Sequence, residues 1–260
     1  MEGLLSEKKL FILDMDGTIY LDETPIDGAR EFIAYAKAKG KRIIYFTNNA
    51  SKSIEMYYEK LNRLGFDVSE GEVISSADVT IDFLNRNHKN QKVYLVGTPA
   101  LEKSFTDGGI NLSDGTEADI VVVSFDTTLT YEKLKKACRL IDNGAIFYST
   151  HPDFVCPVKE GFIPDSGAIC ALVTAATGKI PRYFGKPYLE TAEFLVNAAG
   201  VDFKSSAVVG DRLYTDIALG KNNNITSIMV LSGETKEIDI TDQNRPDIVV
   251  ENIGNLIKEL

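Results

Sequence analysis

The stretch Leu10-Phe11-Ile12-Leu13-Asp14-Met15-Asp16-Gly17-Thr18 sets the architecture of this 260-residue chain. Four consecutive apolar residues form a short buried strand, and Gly17 marks a turn just beyond it. The carboxylates of Asp14 and Asp16, at i and i+2, are thereby delivered to the C-terminal edge of the strand, where open α/β sheets bind ligands. Such a pair can hold Mg²⁺ through its oxygens. One carboxylate can also attack phosphorus while the other transfers protons. An Asp-x-Asp pair alone is common in solvated turns, so its weight comes from partners later in the chain.

Outward from this strand the chain alternates strand and helix patterns. Residues 28–39 carry Phe32, Ile33 and Ala36 at helical spacing, and Gly40 ends the helix. Residues 41–47 form the next strand, Thr47-Asn48-Asn49-Ala50-Ser51 a polar loop, and 54–64 a helix closed by Gly65. This rhythm predicts a parallel sheet covered by helices. A second alternating set starts near Ser76, with helices expected over 77–87 and 131–143 and strands over 92–96, 118–124 and 145–149. The segment 151–166, with three of the eight prolines, is expected as a long loop, followed by a small-residue helix over 167–178. His88, beside Lys89 and Asn90, is expected at a solvated helix end. Helices over 188–199 and 216–221, strands over 206–210, 227–231 and 246–250, and a last helix to Leu260 complete the chain. The fold class expected is α/β: a Rossmannoid parallel-sheet core with helices on both faces, plus an inserted smaller α/β domain. The core is placed at 1–80 and 182–260, the insertion at 81–181.

Composition narrows the function. With 44% hydrophobic and 25% charged residues the chain can bury a sizeable core. A net charge of −10 disfavours a nucleic-acid surface and gives no long-range attraction for an anionic substrate. An anion would therefore need a metal and local cations. No apolar run approaches the roughly 20 residues of a membrane span, and the first residues lack a leader pattern. Cys138, Cys156 and Cys170 are odd in number and form no Cys-x-x-Cys pair, which points to reduced thiols and a cytoplasmic setting.

Four groups of polar residues fall at or just beyond strand ends: Asp14 with Asp16, Thr47, Lys186, and Asp211 with Asp216. In a parallel sheet all strand C-termini share one edge, so these groups converge despite their separation in sequence. Their types suit phosphoryl transfer, in which positioning and charge neutralisation carry most of the catalysis. Each one alone has an ordinary structural explanation: a surface lysine before Pro187, a capping threonine, acids at a helix start. Their joint occurrence overturns those explanations.

At these residues the chain resembles the haloacid dehalogenase superfamily phosphatases, in particular the NagD-like, para-nitrophenylphosphatase branch with a C2-type cap. The matching segments are Asp14-Met-Asp-Gly-Thr18 with Ile19-Tyr20, Thr47-Asn-Asn-Ala-Ser51, Gly185-Lys-Pro187 and Gly210-Asp-Arg-Leu-Tyr-Thr-Asp216, with His151-Pro-Asp153 through Gly167-Ala-Ile169 in the cap. The resemblance covers nearly the whole chain in the right order. It implies that Asp14 is the nucleophile that forms an aspartyl-phosphate and that Asp16 is the acid and then the base. It also implies that Asp14, the backbone carbonyl of Asp16, Asp211 and Asp216 hold Mg²⁺. Thr47, Asn48 and Asn49 would bind the phosphoryl oxygens, Lys186 would neutralise charge, and a cap would select the leaving group, with Asp153 on its substrate side, His151 either a substrate contact or a loop anchor, and Cys156 either a pocket-lining or a packing thiol. Relatives commonly have Asn where this chain has His151, and Pro-Gly where it has Pro164-Asp165, which bears on substrate choice.

The function expected is Mg²⁺-dependent hydrolysis of small phosphorylated metabolites such as sugar phosphates or nucleoside monophosphates. No nucleic-acid or membrane partner is expected, and a homodimer through the cap is left open. A phosphotransferase or phosphomutase of the same superfamily differs only in the phosphoryl acceptor. A signalling receiver with a phospho-accepting Asp needs about half this length and places its acceptor on a later strand than its acidic pair. A scaffold without turnover would not need every catalytic position filled. A dinucleotide-binding enzyme would need Gly-x-Gly-x-x-Gly after the first strand, and none is present.

Overall fold

In the computed structural model, which describes residues 3, 5–158 and 161–260, the first strand, β1 (Leu10–Leu13), is buried along its whole length. The following stretch does more than turn: β2 (Tyr20–Leu21) and β3 (Thr24–Pro25) pair as a small antiparallel hairpin. Helix α1 (Ala29–Ala38) buries Ala29, Phe32, Ile33 and Ala36, one face at helical spacing. It is followed by β4 (Arg42–Thr47), α2 (Ile54–Arg63) and β5 (Val73–Ser75). The short strand β5 lies between patterns and carries too few residues to show a period in the sequence.

Helix α3 (Ser76–Asn87) begins where Asp78 accepts the Ser75 backbone N–H at 2.7 Å, a local bond that fixes the helix start. Then come β6 (Val93–Val96), α4 (Pro99–Asp107) with Thr98 capping Leu101 N–H, β7 (Ile120–Val123), α5 (Tyr131–Asp142) and β8 (Ile146–Ser149). The segment expected as a long loop contains a hairpin, β9 (Val155–Val158) with β10 (Gly161–Pro164). Its prolines at 157 and 164 disguise it, since proline cannot donate to a ladder and within a sheet is confined to edge strands, strand starts and bulges. Helix α6 (Ser166–Thr177) and β11 (Arg182–Tyr183) follow. His88 does stand at the end of α3, but its ring is half-buried and engaged rather than solvated: its Nδ1 lies 2.5 Å from Gln91 Oε1 and its Nε2 2.8 Å from Tyr148 Oη.

The last third comprises α7 (Leu189–Ala199), β12 (Ser206–Gly210), a π-helical turn over Leu213–Ile217, α8 (Ala218–Asn223), β13 (Thr226–Val230) and β14 (Ile248–Val250). The terminal helix, over Ile253–Glu259, is 3-10 rather than α.

Two compact units result. One runs to Thr47 and resumes over Ile54–Ile74 and Lys186–Leu260; the other comprises Asn48–Ser53 and Ser75–Gly185. These bounds differ from the expected 1–80, 81–181 and 182–260. Ser75–Thr80 join the inserted unit because α3 packs on α4, and 182–185 because β11 pairs with β8. Residues 48–53 join it through Ser76 Oγ donating to Asn48 O and Thr98 Oγ1 donating to Ser51 O.

The first unit holds a six-stranded sheet in the order β14-β13-β12-β1-β4-β5, with its central pairs parallel. Chain order reverses at β1: β4 and β5 extend to one side, and β12 to β14 to the other. That reversal creates the crevice at the strand C-termini where ligands bind. Phe11, Leu13, Tyr45 and Val209 face α1, with the Phe11 and Phe32 rings edge to face at 5.4 Å. Leu10, Ile12, Ile44 and Val208 are buried on the opposite face, where α7 packs on β1 and α8 on β12. Burial on both faces is why these strands are continuous apolar runs rather than alternating ones. The inserted unit has its own four-stranded parallel sheet, β11-β8-β7-β6.

Candidate active site

Register places the key groups of the first unit at one sheet edge. Leu13 lies opposite Val209 on one side and Tyr45 on the other. Asp14 therefore leaves β1 level with the end of β12, where Asp211 follows, and of β4, which Thr47 closes. Asp14, Asp211 and Asp216 each offer a carboxylate oxygen, and these atoms all lie within 4.8 Å of one another. Lys186 Nζ reaches Asp14 Oδ1 at 2.5 Å and Asp216 Oδ1 at 2.6 Å. The Lys186 side chain is 3% exposed, so this ammonium is no ordinary surface lysine.

The cluster carries three carboxylates against one ammonium. Like charges about 4 Å apart repel by roughly 4 kcal/mol per pair at the effective dielectric of a protein site. Burial, and then the neighbouring carboxylates, push Asp211 above the usual carboxylate range. Burial does the same to Asp216, opposed by Lys186. For Lys186, burial works against the charged form, but Asp14 and Asp216 outweigh it and hold the amine above its ordinary range. Among the described residues Asp211 Oδ1 is buried with no hydrogen-bond partner, whereas Asp211 Oδ2 accepts the Glu234 backbone N–H at 2.7 Å. Two excess negative charges and an orphaned acceptor oxygen fit a divalent cation held by oxygen ligands.

Asp16 sits in the turn after β1, its side chain reaching solvent. Lost hydration, and then the Asp14 carboxylate, nevertheless raise its carboxyl, against the pull of Lys60 and Arg212. Lys60 itself stands over the Tyr20 ring at 3.9 Å from the centroid. Gly17 takes φ +85°, and a Cβ there would stand 2.5 Å from Asp211 Oδ2, so only glycine lets this turn approach Asp211. Sequence reasoning passed over three contributors to the site. Arg212 Nε pairs with Glu234 at 3.0 Å, Glu234 supplies the N–H to Asp211, and Ser232 Oγ donates to Gly17 O at 2.7 Å. Ser232-Gly233-Glu234 begin two residues past the end of β13, beyond Leu231, at the same sheet edge, and that position was the available signal.

The remaining expected residues lie in the inserted unit. Asn48 Nδ2 donates to both Asp153 oxygens at 3.3 Å. Asn49 Nδ2 lies 3.8 Å from Cys156 Sγ, and its Oδ1 accepts the Ser51 N–H and hydroxyl, a local turn. His151 is fully buried: Nε2 stands 2.8 Å from Asp165 Oδ1, and Nδ1 2.9 Å from Thr150 Oγ1. These contacts give His151 an anchoring position, one of the two roles the sequence left open for it. The two departures from the family pattern, His151 and Asp165, are thus hydrogen-bond partners.

Comparison with known proteins agrees with this geometry. Residues 11–111 match the family model described as haloacid dehalogenase-like hydrolase, and residues 183–256 match a second one described as HAD-like. An acid sugar phosphatase of Staphylococcus aureus is 36% identical over 242 residues, 93% of each chain. A 4-nitrophenylphosphatase structure from Thermotoga maritima is 43% identical, covers 99% of each chain and superposes with a TM-score of 0.95. The NagD structure from Escherichia coli K-12 is 30% identical with a TM-score of 0.88, over 95% of this chain and 97% of that one.

Proposed function

The chain belongs to the haloacid dehalogenase-like hydrolases, as a phosphomonoester hydrolase of the NagD-like branch acting on small phosphorylated substrates. From that premise we propose that it works through Asp14 as nucleophile with Mg²⁺ as cofactor, and that sugar phosphates are its preferred substrates. The observation that carries the reading is the Asp14–Lys186–Asp216 ion-pair chain beside the orphaned Asp211 oxygen. The sugar preference is supported by the relatives named acid sugar phosphatase.

In the first step an Asp14 carboxylate oxygen attacks phosphorus and the bond from phosphorus to the leaving oxygen breaks. Asp16, whose carboxyl burial and the Asp14 carboxylate raise above its ordinary range, gives a proton to that oxygen, so an alcohol departs and Asp14 carries the phosphoryl group. In the second step Asp16, now a carboxylate, takes a proton from water as the water oxygen attacks phosphorus. The bond to Asp14 breaks, inorganic phosphate leaves, and Asp16 ends protonated again. Lys186 holds Asp14 in place and offsets charge on the transferring group. Thr47, with Asn48 and Asn49 after it, donates hydrogen bonds to the phosphoryl oxygens. Asp14, the Asp16 carbonyl, Asp211 and Asp216 would hold the Mg²⁺, which neutralises phosphoryl charge when bound.

The inserted unit, in this reading, selects the leaving group, with Asp153 and Cys156 on its substrate side. The exposed apolar side chains of Phe154 and Phe162 support self-association through it, which sedimentation velocity measures. No helix among the described residues is long and apolar enough to cross a membrane, and the three free cysteines support a cytoplasmic setting.

The deciding experiment is hydrolysis of para-nitrophenyl phosphate by wild type and Asp14→Asn, each with Mg²⁺ and with chelator. Activity that needs both Asp14 and Mg²⁺ is expected, and a panel of sugar phosphates then ranks substrates. Activity that survives Asp14→Asn would remove the nucleophile assignment.

A further inference from the structure

The segment Ser232-Gly233-Glu234-Thr235, beyond the end of β13, belongs to no motif read from the sequence, yet it bonds to both acid-bearing turns of the first unit. Ser232 Oγ donates to Gly17 O at 2.7 Å, in the turn that follows Asp14 and Asp16. The Glu234 N–H donates to Asp211 Oδ2 at 2.7 Å, and the Thr235 N–H to Asp211 O at 3.3 Å. Consecutive amides thus hold both the side chain and the main chain of Asp211.

The Glu234 carboxylate is tied to the same stretch. Arg212 Nε stands 3.0 Å from Glu234 Oε2 as an ion pair, and Tyr214 Oη donates to Oε1 at 3.1 Å. Both partners directly follow Asp211, and Tyr214 lies in the π-helical turn over Leu213–Ile217 that also carries Asp216. The Arg212 N–H in turn donates to Asp216 Oδ2 at 3.1 Å. Glu234 is therefore anchored to residues 211–214 through its main chain and its side chain at once.

Gly233 allows this close approach. It does not take a left-handed φ, so space rather than backbone conformation requires the glycine. A Cβ there would overlap Asp211 Oδ2 and stand 2.5 Å from Asp211 Cγ, so any side chain would displace the carboxylate. Oδ2 is thus engaged by the Glu234 N–H and boxed in by Gly233 and Gly17. Oδ1, with no hydrogen-bond partner among the described residues, is the oxygen left for a cation.

We propose that Glu234 is a positioning residue for that cation: its side chain, held by Arg212 and Tyr214, keeps its own N–H on Asp211 Oδ2 and so fixes the Asp211 carboxylate with Oδ1 available to the metal. Groups that orient metal ligands contribute roughly 10- to 100-fold to affinity. The Glu234 side chain is partly exposed and its N–H survives substitution, so the lower end applies here. The proposal rests on the divalent-cation reading above.

The test titrates Mg²⁺ by calorimetry into the full chain as wild type, Glu234→Ala, Glu234→Gln and Gly233→Ala. Amide hydrogen exchange at positions 234 and 235 is followed by NMR in chelator. Glu234→Ala should weaken Mg²⁺ binding about 5- to 10-fold. It should also speed exchange at both positions about tenfold while β12 and β13 stay protected. Glu234→Gln, whose amide oxygen still accepts from Tyr214 and Arg212 but carries no charge, should recover most of both. Gly233→Ala should weaken binding by about tenfold or more, since its methyl displaces the carboxylate itself. Should that variant not fold, the two Glu234 variants decide.

Equal losses in Glu234→Ala and Glu234→Gln overturn the proposal, because the charge of Glu234 rather than its anchoring would then be responsible. Unchanged Mg²⁺ affinity in Glu234→Ala also overturns it, whatever happens to stability, as does weakened affinity with unchanged exchange. Wild type that binds no Mg²⁺ would remove the cofactor reading, and exchange at 234 and 235 would still decide whether the side chain holds the amide in place.

Discussion

Two buried clusters in this molecule share their residue types and differ in one physical respect. Asp14, Asp211 and Asp216 in the first unit, and His151, Asp153 and Asp165 in the inserted one, each bring three potential metal ligands within 4.8 Å of one another. In the second cluster the polar atoms are spoken for: Asp165 takes His151 and Ser166, and Asp153 takes Asn48. In the first, Asp211 Oδ1 has no hydrogen-bond partner among the described residues, and the carboxylates outnumber the ammonium. A satisfied network holds a structure in place, whereas an under-satisfied one is completed by a ligand. Proximity of ligand types is therefore a poor guide to a metal centre, and hydrogen-bond satisfaction a better one.

The largest effect that tests the contrast is Asp14→Asn. It should lower kcat on para-nitrophenyl phosphate by roughly 10⁴-fold or more while the circular dichroism spectrum is preserved. Asp16→Asn should come next, with a loss of about 10²- to 10⁴-fold in both formation and breakdown of the phosphoenzyme by rapid quench; unchanged kinetics would remove Asp16 from proton transfer. Asp211→Asn should weaken Mg²⁺ binding in titration calorimetry by more than about tenfold. In chelator near pH 8, however, it should raise the melting temperature by a few degrees, because it removes the like-charge repulsion of Asp211 with Asp14 and Asp216.

The same repulsion gives a pH dependence with a defined sign. The folded-state pKa values of Asp16, Asp211 and Asp216 are raised. Their stabilisation is therefore fully present below the unfolded carboxylate pKa near 4 and is lost as pH rises through the folded values. The raised Lys186 does not oppose this, since it remains charged throughout that window. The melting temperature in chelator should fall from pH 5 to pH 8, and Mg²⁺ should flatten that slope. The smallest expected effect lies in the other cluster. Asp153→Asn should cost about 1–2 kcal/mol of stability and leave Mg²⁺ affinity within roughly twofold. A larger change in affinity would mean that the two clusters are not distinct in kind.

Legibility followed how local each signal was. Strands such as β1 and β12 were visible because burial on both faces demands unbroken apolar runs. Helix α1 was visible because one buried face imposes a period near 3.6. The hairpin β9–β10 was hidden by its prolines, and β5 and β11 by having only three and two residues. The last helix, expected as a continuous helix to Leu260, is wound as 3-10 over Ile253–Glu259. Its sequence carries little to distinguish the two windings.

What the amino-acid sequence determined by itself was the chemistry on offer: which carboxylates, which lysine and which threonine follow strands, and hence that they share an edge. That much needs only the rule that parallel strands end on one side. What tertiary structure alone decided was how the polar groups are partnered. Lys186 joins Asp14 and Asp216 from 172 and 30 positions away, and His151 turns inward to Asp165. Whether a buried polar atom is satisfied depends on atoms remote in sequence and on distances of a few ångströms, and no local pattern encodes those.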